Sequence, residues 1–244
     1  MSVESDFENS WDSKFRAESY ARLEFPNTYY LAYRDLPEIL RRHVSGRDAI
    51  DFGCGTGRST RFLKQLGFNA TGIDISGEML KIALSLDQGG NYMLVENGKY
   101  SHLGEGNYDL VQAIFTFDNI PGWENRTNIL VALKKLLKPG GKLILLDSTP
   151  EIYVNEWASF STKNFRTNFN AVTGDKVFTT MLDVEDKSPV EDIFWSLPDY
   201  YRLFELAGLK ETAFYKPLGN KEEPFKWVTE TTVAPWMIFV LGKL

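Results

Sequence analysis

Residues 49–63, from Ala49 through Gly53-Cys54-Gly55-Thr56-Gly57 to Leu63, pass from an apolar segment through three alternate glycines into an amphipathic pattern. That order predicts a strand, a glycine loop and a helix. Glycines at 53, 55 and 57 remove every second Cβ, so the backbone can turn sharply and bring N–H groups of the following helix against a ligand. Ala70-Thr71-Gly72-Ile73-Asp74 then reads as a second short strand ending in a carboxylate, whose lone pairs match the two hydroxyl donors of a ribose. Loop and acid together predict an adenosine-containing ligand. A dinucleotide fold would favour G-x-G-x-x-G. Here the spacing is G-x-G-x-G with Asp51 ahead of it, an acid that would repel a pyrophosphate and suits a ligand carrying an ammonium group.

The bulk properties narrow the partners. A chain of 244 residues, 43% hydrophobic and 25% charged, has the composition of a soluble globular protein with a sizeable core. Its net charge of -6 disfavours nucleic acid, which needs a basic face. The single cysteine, Cys54, cannot close an internal disulfide, so a reducing, cytoplasmic setting is the expectation. No apolar run reaches the roughly 20 residues of a membrane helix, so no membrane partner is expected, nor is a metal.

The motifs Asp51-Phe52-Gly53-Cys54-Gly55-Thr56-Gly57 and Gly72-Ile73-Asp74-Ile75-Ser76 resemble those of the class I S-adenosylmethionine-dependent methyltransferases, small-molecule type. Tyr108-Asp109-Leu110-Val111 is similar to that family's fourth strand, and Leu137-Lys138-Pro139-Gly140-Gly141-Lys142-Leu143 to its turn into the fifth. The resemblance implies an α/β fold with a doubly wound, mostly parallel seven-stranded sheet. It implies S-adenosyl-L-methionine as cofactor, S-adenosyl-L-homocysteine as product, and methyl transfer to O, N or C of a small molecule. Cofactor contacts are expected from Tyr20, Asp51, Gly53, Cys54, Gly55, Gly57, Asp74, Ile75, Met79, Asn97, Gly98 and Phe115. Relatives carry an acid where this chain has Glu96-Asn97-Gly98, and Asn97 can still accept from an adenine amino group through its amide oxygen. The alternative is a non-catalytic module that binds the cofactor as a sensor or partner subunit, since such enzymes need no obligatory catalytic side chain. A nicotinamide-dependent oxidoreductase is disfavoured by Asp51 and the glycine spacing.

Four segments follow from the pattern: an N-terminal helical lid (1–36), a cofactor-binding core (37–150), a substrate cap of helix and antiparallel strands (151–194), and the completion of the core (195–244). In the lid, Trp11, Phe15 and Tyr20 recur near helical spacing, and Asn27-Thr28 can cap a helix carrying Tyr29 to Tyr33. Pro37 suits a first helical turn and His43 a last one. Ser76 caps the helix of Met79, Leu80 and Ala83. Strands are predicted at Tyr92–Val95, Tyr108–Phe117, Lys142–Asp147, Val177–Leu182 and Trp236–Leu241, with a helix over Arg126–Leu137. His102 and Asp118 are the candidate bases, Asp118 because it stands just past the fourth strand. Trp227 lies in a long connection that could close over a substrate. A monomer or homodimer is expected.

Overall fold

The computed structural model describes residues 18, 19, 21 and 23–244. Tyr20 and residues 1–17 of the expected lid lie outside the described residues. In chain order the elements are α1 (Thr28–Arg34), α2 (Leu36–His43), β1 (Asp48–Phe52), α3 (Arg58–Gln65), β2 (Asn69–Asp74), α4 (Gly77–Leu86), β3 (Asn91–Leu94), β4 (Tyr108–Ile114), α5 (Trp123–Leu136), β5 (Leu137–Ser148), β6 (Phe160–Ser161), β7 (Lys176–Met181), β8 (Val190–Ile193), α6 (Leu197–Ala207), β9 (Leu209–Tyr215) and β10 (Trp236–Lys243). Among these, no helix is long and apolar enough to cross a membrane.

Seven strands form one sheet in the order β3-β2-β1-β4-β5-β10-β9. β1 pairs parallel with β2 and β4, and β10 runs antiparallel to β5 and β9. Side chains alternate along a strand, so each central strand serves two cores. Leu110, Ile144, Leu146 and Ile238 pack with Leu31, Leu36 and Leu63 on one face. Val111, Leu143, Leu145 and Phe239 pack with Leu130, Leu133 and Leu203 on the other. Strands so enclosed read as continuous apolar runs. Chain order reverses between β1 and β4, and the crevice beyond their carboxyl ends is where a fold of this kind binds ligands.

Local chemistry sets the boundaries. Ser76 Oγ accepts from Met79 N at 3.3 Å and starts α4. Ser196 caps α6, which ends at Gly208 with φ 68°. Pro37 sits in the first turn of α2 as expected. Asn27 precedes α1 but does not cap it: its side chain donates to Asp183 Oδ1 at 2.8 Å. β4 stops at Ile114, short of Phe117, because Phe115 adopts φ 58° and ends the ladder. β5 begins at Leu137, earlier than predicted, because Leu137 pairs with Tyr108 across a register shift before Leu110 meets Lys142. β3 lies one residue earlier than read, and α5 begins at Trp123.

Residues 151–194 form a three-stranded antiparallel sheet, β6-β7-β8, with short 3-10 turns at Pro150–Val154 and Arg166–Asn170 where an α-helix was expected. The cap is latched by Glu230. Its carboxylate accepts from Thr28 Oγ1 (2.6 Å), Ala158 N (2.7 Å), Val228 N (2.8 Å) and Thr229 N (3.0 Å). Thr28 also exchanges two bonds with Ser159, and Trp236 Nε1 donates to Thr28 O. α1, the cap and the start of β10 are thereby joined over the sheet edge.

Candidate active site

A cavity of about 970 Å³ opens between the carboxyl ends of β1, β2 and β4 and the cap. Gly53, Cys54 and Gly55 form its floor. Gly53 N and Cys54 N both donate to Ile73 O, at 2.8 and 3.1 Å, which clamps the loop against β2. The glycines have different physical reasons. A Cβ on Gly53 would lie 2.3 Å from Thr116 Cγ2, with φ at 67°. One on Gly55, φ 53°, would meet no protein atom within 4 Å. Gly55 is therefore bare toward the cavity and leaves room for a ligand at backbone distance.

Asp74 ends β2 on the cavity wall. Its Oδ2 accepts from Gly55 N at 2.7 Å and its Oδ1 from Ser76 N at 2.8 Å. Two backbone donors thus hold the carboxylate beside the glycine loop, where a ribose would meet it. Ile75, Met79, Val95 and Ile129 add apolar wall on this side, with the Asn97 amide among them. Asn97 Oδ1 accepts from Tyr100 OH and its Nδ2 donates to Asn125 Oδ1, each at 3.3 Å. This side of the cavity thus offers apolar side chains together with an amide and a carboxylate.

Asp51 is elsewhere. It is fully buried beneath the loop and does not line the cavity, so it does not face a ligand's ammonium group directly. Ser59 Oγ and Thr60 Oγ1 donate to its Oδ2 at 2.7 and 2.6 Å, and Gln112 Nε2 to its Oδ1 at 3.0 Å. Asp51 ties β1, the start of α3 and β4 together. Burial pushes its carboxyl up to about 6, against the three hydrogen bonds that favour the charge.

Other expectations are redistributed in the same way. Gly57 starts α3 away from the cavity, and its missing Cβ makes room for the Tyr92 hydroxyl. Gly98 is exposed and also off the cavity wall. Cys54 lines the floor, but burial raises its thiol well above the ordinary range, which keeps it neutral and unreactive. His102 is exposed beside Met93 and is not on the cavity wall. His43, read as a helix-end cation, bonds the Tyr215 hydroxyl at 2.8 Å, and burial lowers its pKa. Trp227 packs at a tilt against Phe225, ring centroids 4.9 Å apart, and donates to Asn220 O, away from the cavity.

Phe115 and Asp118 do line the cavity. Phe115, in a left-handed conformation uncommon for a bulky residue, packs its ring 4.7 Å from Trp236 and 5.8 Å from Tyr29. Asp118 stands in the 3-10 turn Phe117–Asn119, and its Oδ2 accepts from Ser148 N (3.1 Å) and Ser148 Oγ (2.8 Å).

Sequence reasoning missed Arg58, Trp236, Phe160 and Asp192 on the wall. Arg58 directly follows the glycine loop and lies against the rings of Phe25, Tyr29 and Tyr33, donating to Glu24 O at 2.8 Å. Its position after Gly57 was the signal for it. Asp192 had none, since neighbouring Glu191 is equally acidic and only the strand's phase decides which of the two faces inward.

Residues 50–145 match the family model described as a methyltransferase domain. A ubiquinone biosynthesis O-methyltransferase from Burkholderia vietnamiensis is 30% identical over 169 residues, 64% of this chain and 65% of the relative. The chain spans 42% to 65% of the length of the relatives of that name. An N-demethylindolmycin N-methyltransferase from Streptomyces griseus is 22% identical over 209 residues, 82% of this chain and 87% of the relative. Among solved structures, an S-adenosylmethionine-dependent methyltransferase from Clostridium acetobutylicum superimposes with a TM-score of 0.63 at 16% identity, covering 96% of each chain. Residues 50–145 thus resemble a methyltransferase domain, and the whole chain has the fold of the solved methyltransferase on which it superimposes.

Proposed function

We propose that this protein transfers a methyl group from S-adenosylmethionine to a small molecule held under the cap. The observation that carries the reading is the arrangement of Gly55, Asp74 and Asn97 on one wall of a cavity that continues past Phe115 to the cap. Asp74 would take the ribose hydroxyls, Asn97 the adenine edge, and the bare backbone at Gly55 the amino-acid end of the cofactor. When bound, the cofactor supplies a methyl group on a positively charged sulfur, so the hard chemistry is its own.

The chain's contribution is placement. The floor fixes one reactant, and Phe115 and Trp236, their rings 4.7 Å apart, line the same cavity. The cap excludes water and limits the poses of the other reactant, the entropic part of catalysis. Carboxylates at the cap end, Asp118 and Asp192, can hold or receive a proton. Residues 37–150 act in this reading as the cofactor core and 151–194 as the substrate cap.

Calorimetric titration of the full chain with S-adenosylmethionine and S-adenosylhomocysteine tests the proposal. Saturable binding of both at micromolar concentration is expected. Failure of both to bind at millimolar concentration refutes it.

A further inference from the structure

The cap end of the cavity has a chemistry of its own. β7 and β8 pair with Thr179 opposite Val190 and Val177 opposite Asp192. Period-two alternation puts Thr179 and Met181 of β7, and Val190 and Asp192 of β8, on the face that lines the cavity. Asp192 is therefore a carboxylate on an inward face that is otherwise Val, Met and Thr. Opposite it stands Asp118, 5% exposed, on the turn against which β8 packs.

Each carboxylate is only half satisfied. Asp118 Oδ2 takes both Ser148 bonds, and Asp192 Oδ2 accepts from Tyr153 OH at 3.3 Å. Neither Oδ1 accepts a hydrogen bond from the described residues, and both residues line the cavity. No cation balances them from the cavity side: Arg58 is the one described basic residue on the wall, and it sits at the glycine loop. Arg126 lies behind Asp118, off the wall, with its guanidinium 4.1 Å from the Trp195 ring centroid. The same cavity is lined by aromatic rings, with Tyr29 5.1 Å from Phe160 and 5.8 Å from Trp236. Two open carboxylate oxygens in a cavity that also carries aromatic rings attract a cation and repel an anion.

We propose that this end of the cavity is an ammonium subsite in which Asp118 and Asp192 hold the protonated amino group of a small amine, with Tyr29, Phe160 and Trp236 enclosing its apolar part. The subsite rests on the reading of the other half as the cofactor site, and makes the methyl acceptor an amine. Before it can react, the ammonium must give one N–H proton to a carboxylate oxygen, which leaves the nitrogen lone pair free and the carboxyl neutral. The surroundings suit that exchange. Burial raises both carboxyls; the two Ser148 bonds and then Arg126 oppose the rise at Asp118, while at Asp192 the Asp118 charge and Glu191 add to it and the Tyr153 bond opposes it. Behind them, Asp147 and Tyr200 are raised as well.

The test is calorimetry of the full chain saturated with S-adenosylhomocysteine, using phenethylamine, its neutral isostere phenethyl alcohol, and the anion hydrocinnamate. The amine is expected to bind at least about tenfold more tightly than the alcohol, with hydrocinnamate weakest. Its affinity should rise with pH above the ordinary carboxylate range, with release of protons, because alkylammonium groups stay charged to about pH 10 while the raised carboxyls ionise. Asp192→Asn should reduce the preference for amine over alcohol to within about twofold, and Asp118→Asn should do the same if that variant folds. Equal binding of alcohol and amine, no amine binding at millimolar concentration, or an undiminished preference in Asp192→Asn overturns the subsite. Those outcomes in a chain that binds S-adenosylhomocysteine sink the subsite alone, whereas loss of that binding in the unaltered chain sinks the reading of the other half.

Discussion

Asp51→Asn separates a strut from a ligand. In the folded chain the Asp51 carboxyl titrates at about 6 against an ordinary 3.8, because burial outweighs the bonds from Ser59, Thr60 and Gln112. Each pKa unit is worth about 1.4 kcal/mol, so ionising it in place costs roughly 3 kcal/mol relative to the unfolded chain. Below about pH 4 neither state is charged and the cost vanishes. Between about pH 4 and pH 6 only the unfolded chain loses its proton, so the stability owed to Asp51 falls as pH rises and stays low above pH 6. The introduced amide removes the charge and keeps an acceptor for both hydroxyls. Gln112 Oε1, which is buried without a partner, can take its N–H after a half-turn of the Gln112 amide. Weaker hydroxyl bonds subtract about 1 kcal/mol. The variant should then gain about 2 kcal/mol over the unaltered chain near pH 7.5 and none near pH 4.5, read from urea unfolding at both values. Its affinity for S-adenosylhomocysteine should stay within about threefold. A variant destabilised equally at both pH values would show that the charge is not the cost, and a tenfold or greater loss of affinity would return Asp51 to the ligand.

The other predictions address the floor and the latch. Asp74→Ala removes the ribose acceptor and should weaken S-adenosylhomocysteine binding at least about tenfold by calorimetry; an unchanged constant would show that the sugar lies elsewhere. Gly53→Ala drives a Cβ into Thr116 and should cost more than about 2 kcal/mol, whereas Gly55→Ala meets open space and should cost about 1–2 kcal/mol from its left-handed backbone while blocking the cofactor. Equal unfolding midpoints for those two variants, with equal retention of cofactor, would contradict the account of the loop. Glu230→Gln removes the charge from an acceptor of four hydrogen bonds and should lower stability by about 1–3 kcal/mol and speed limited proteolysis in the cap; an unchanged cleavage pattern would mean that the latch does not hold it.

The parallel half of the fold was readable because its signals are local. A run buried on both faces and a serine before an apolar repeat each report on a few neighbouring residues, and β1, β2 and α4 fall where those signals put them. The boundaries that moved are those set by partners distant in sequence. Leu137 is a strand residue because Tyr108 lies beside it, and β4 ends at Ile114 because Phe115 turns inward to meet Trp236 and Tyr29. The cap lacks an α-helix for a related reason: between Pro150 and Asn170 the chain follows the sheet edge in short turns fixed by Glu230 and Thr28, contacts that no local pattern encodes.

For the site, type and spacing put Gly53, Gly55 and Asp74 on the cavity wall where the structure has them, and misplaced groups whose position depends on side-chain direction. Gly53, Gly55 and Asp74 follow from the strand ends that carry them. Asp51 sits on β1 only two residues before Gly53, yet strand alternation sends its carboxylate under the loop, where Ser59 and Thr60 wait at the start of α3. The same alternation acts in reverse on β8, where Asp192 rather than Glu191 turns to the cavity. A one-residue shift in the phase of either strand would exchange strut for ligand and ligand for surface charge. The chemistry offered to a substrate is thus settled by the register of two short strands as much as by the residues they carry, and Asp192→Asn reads that register directly.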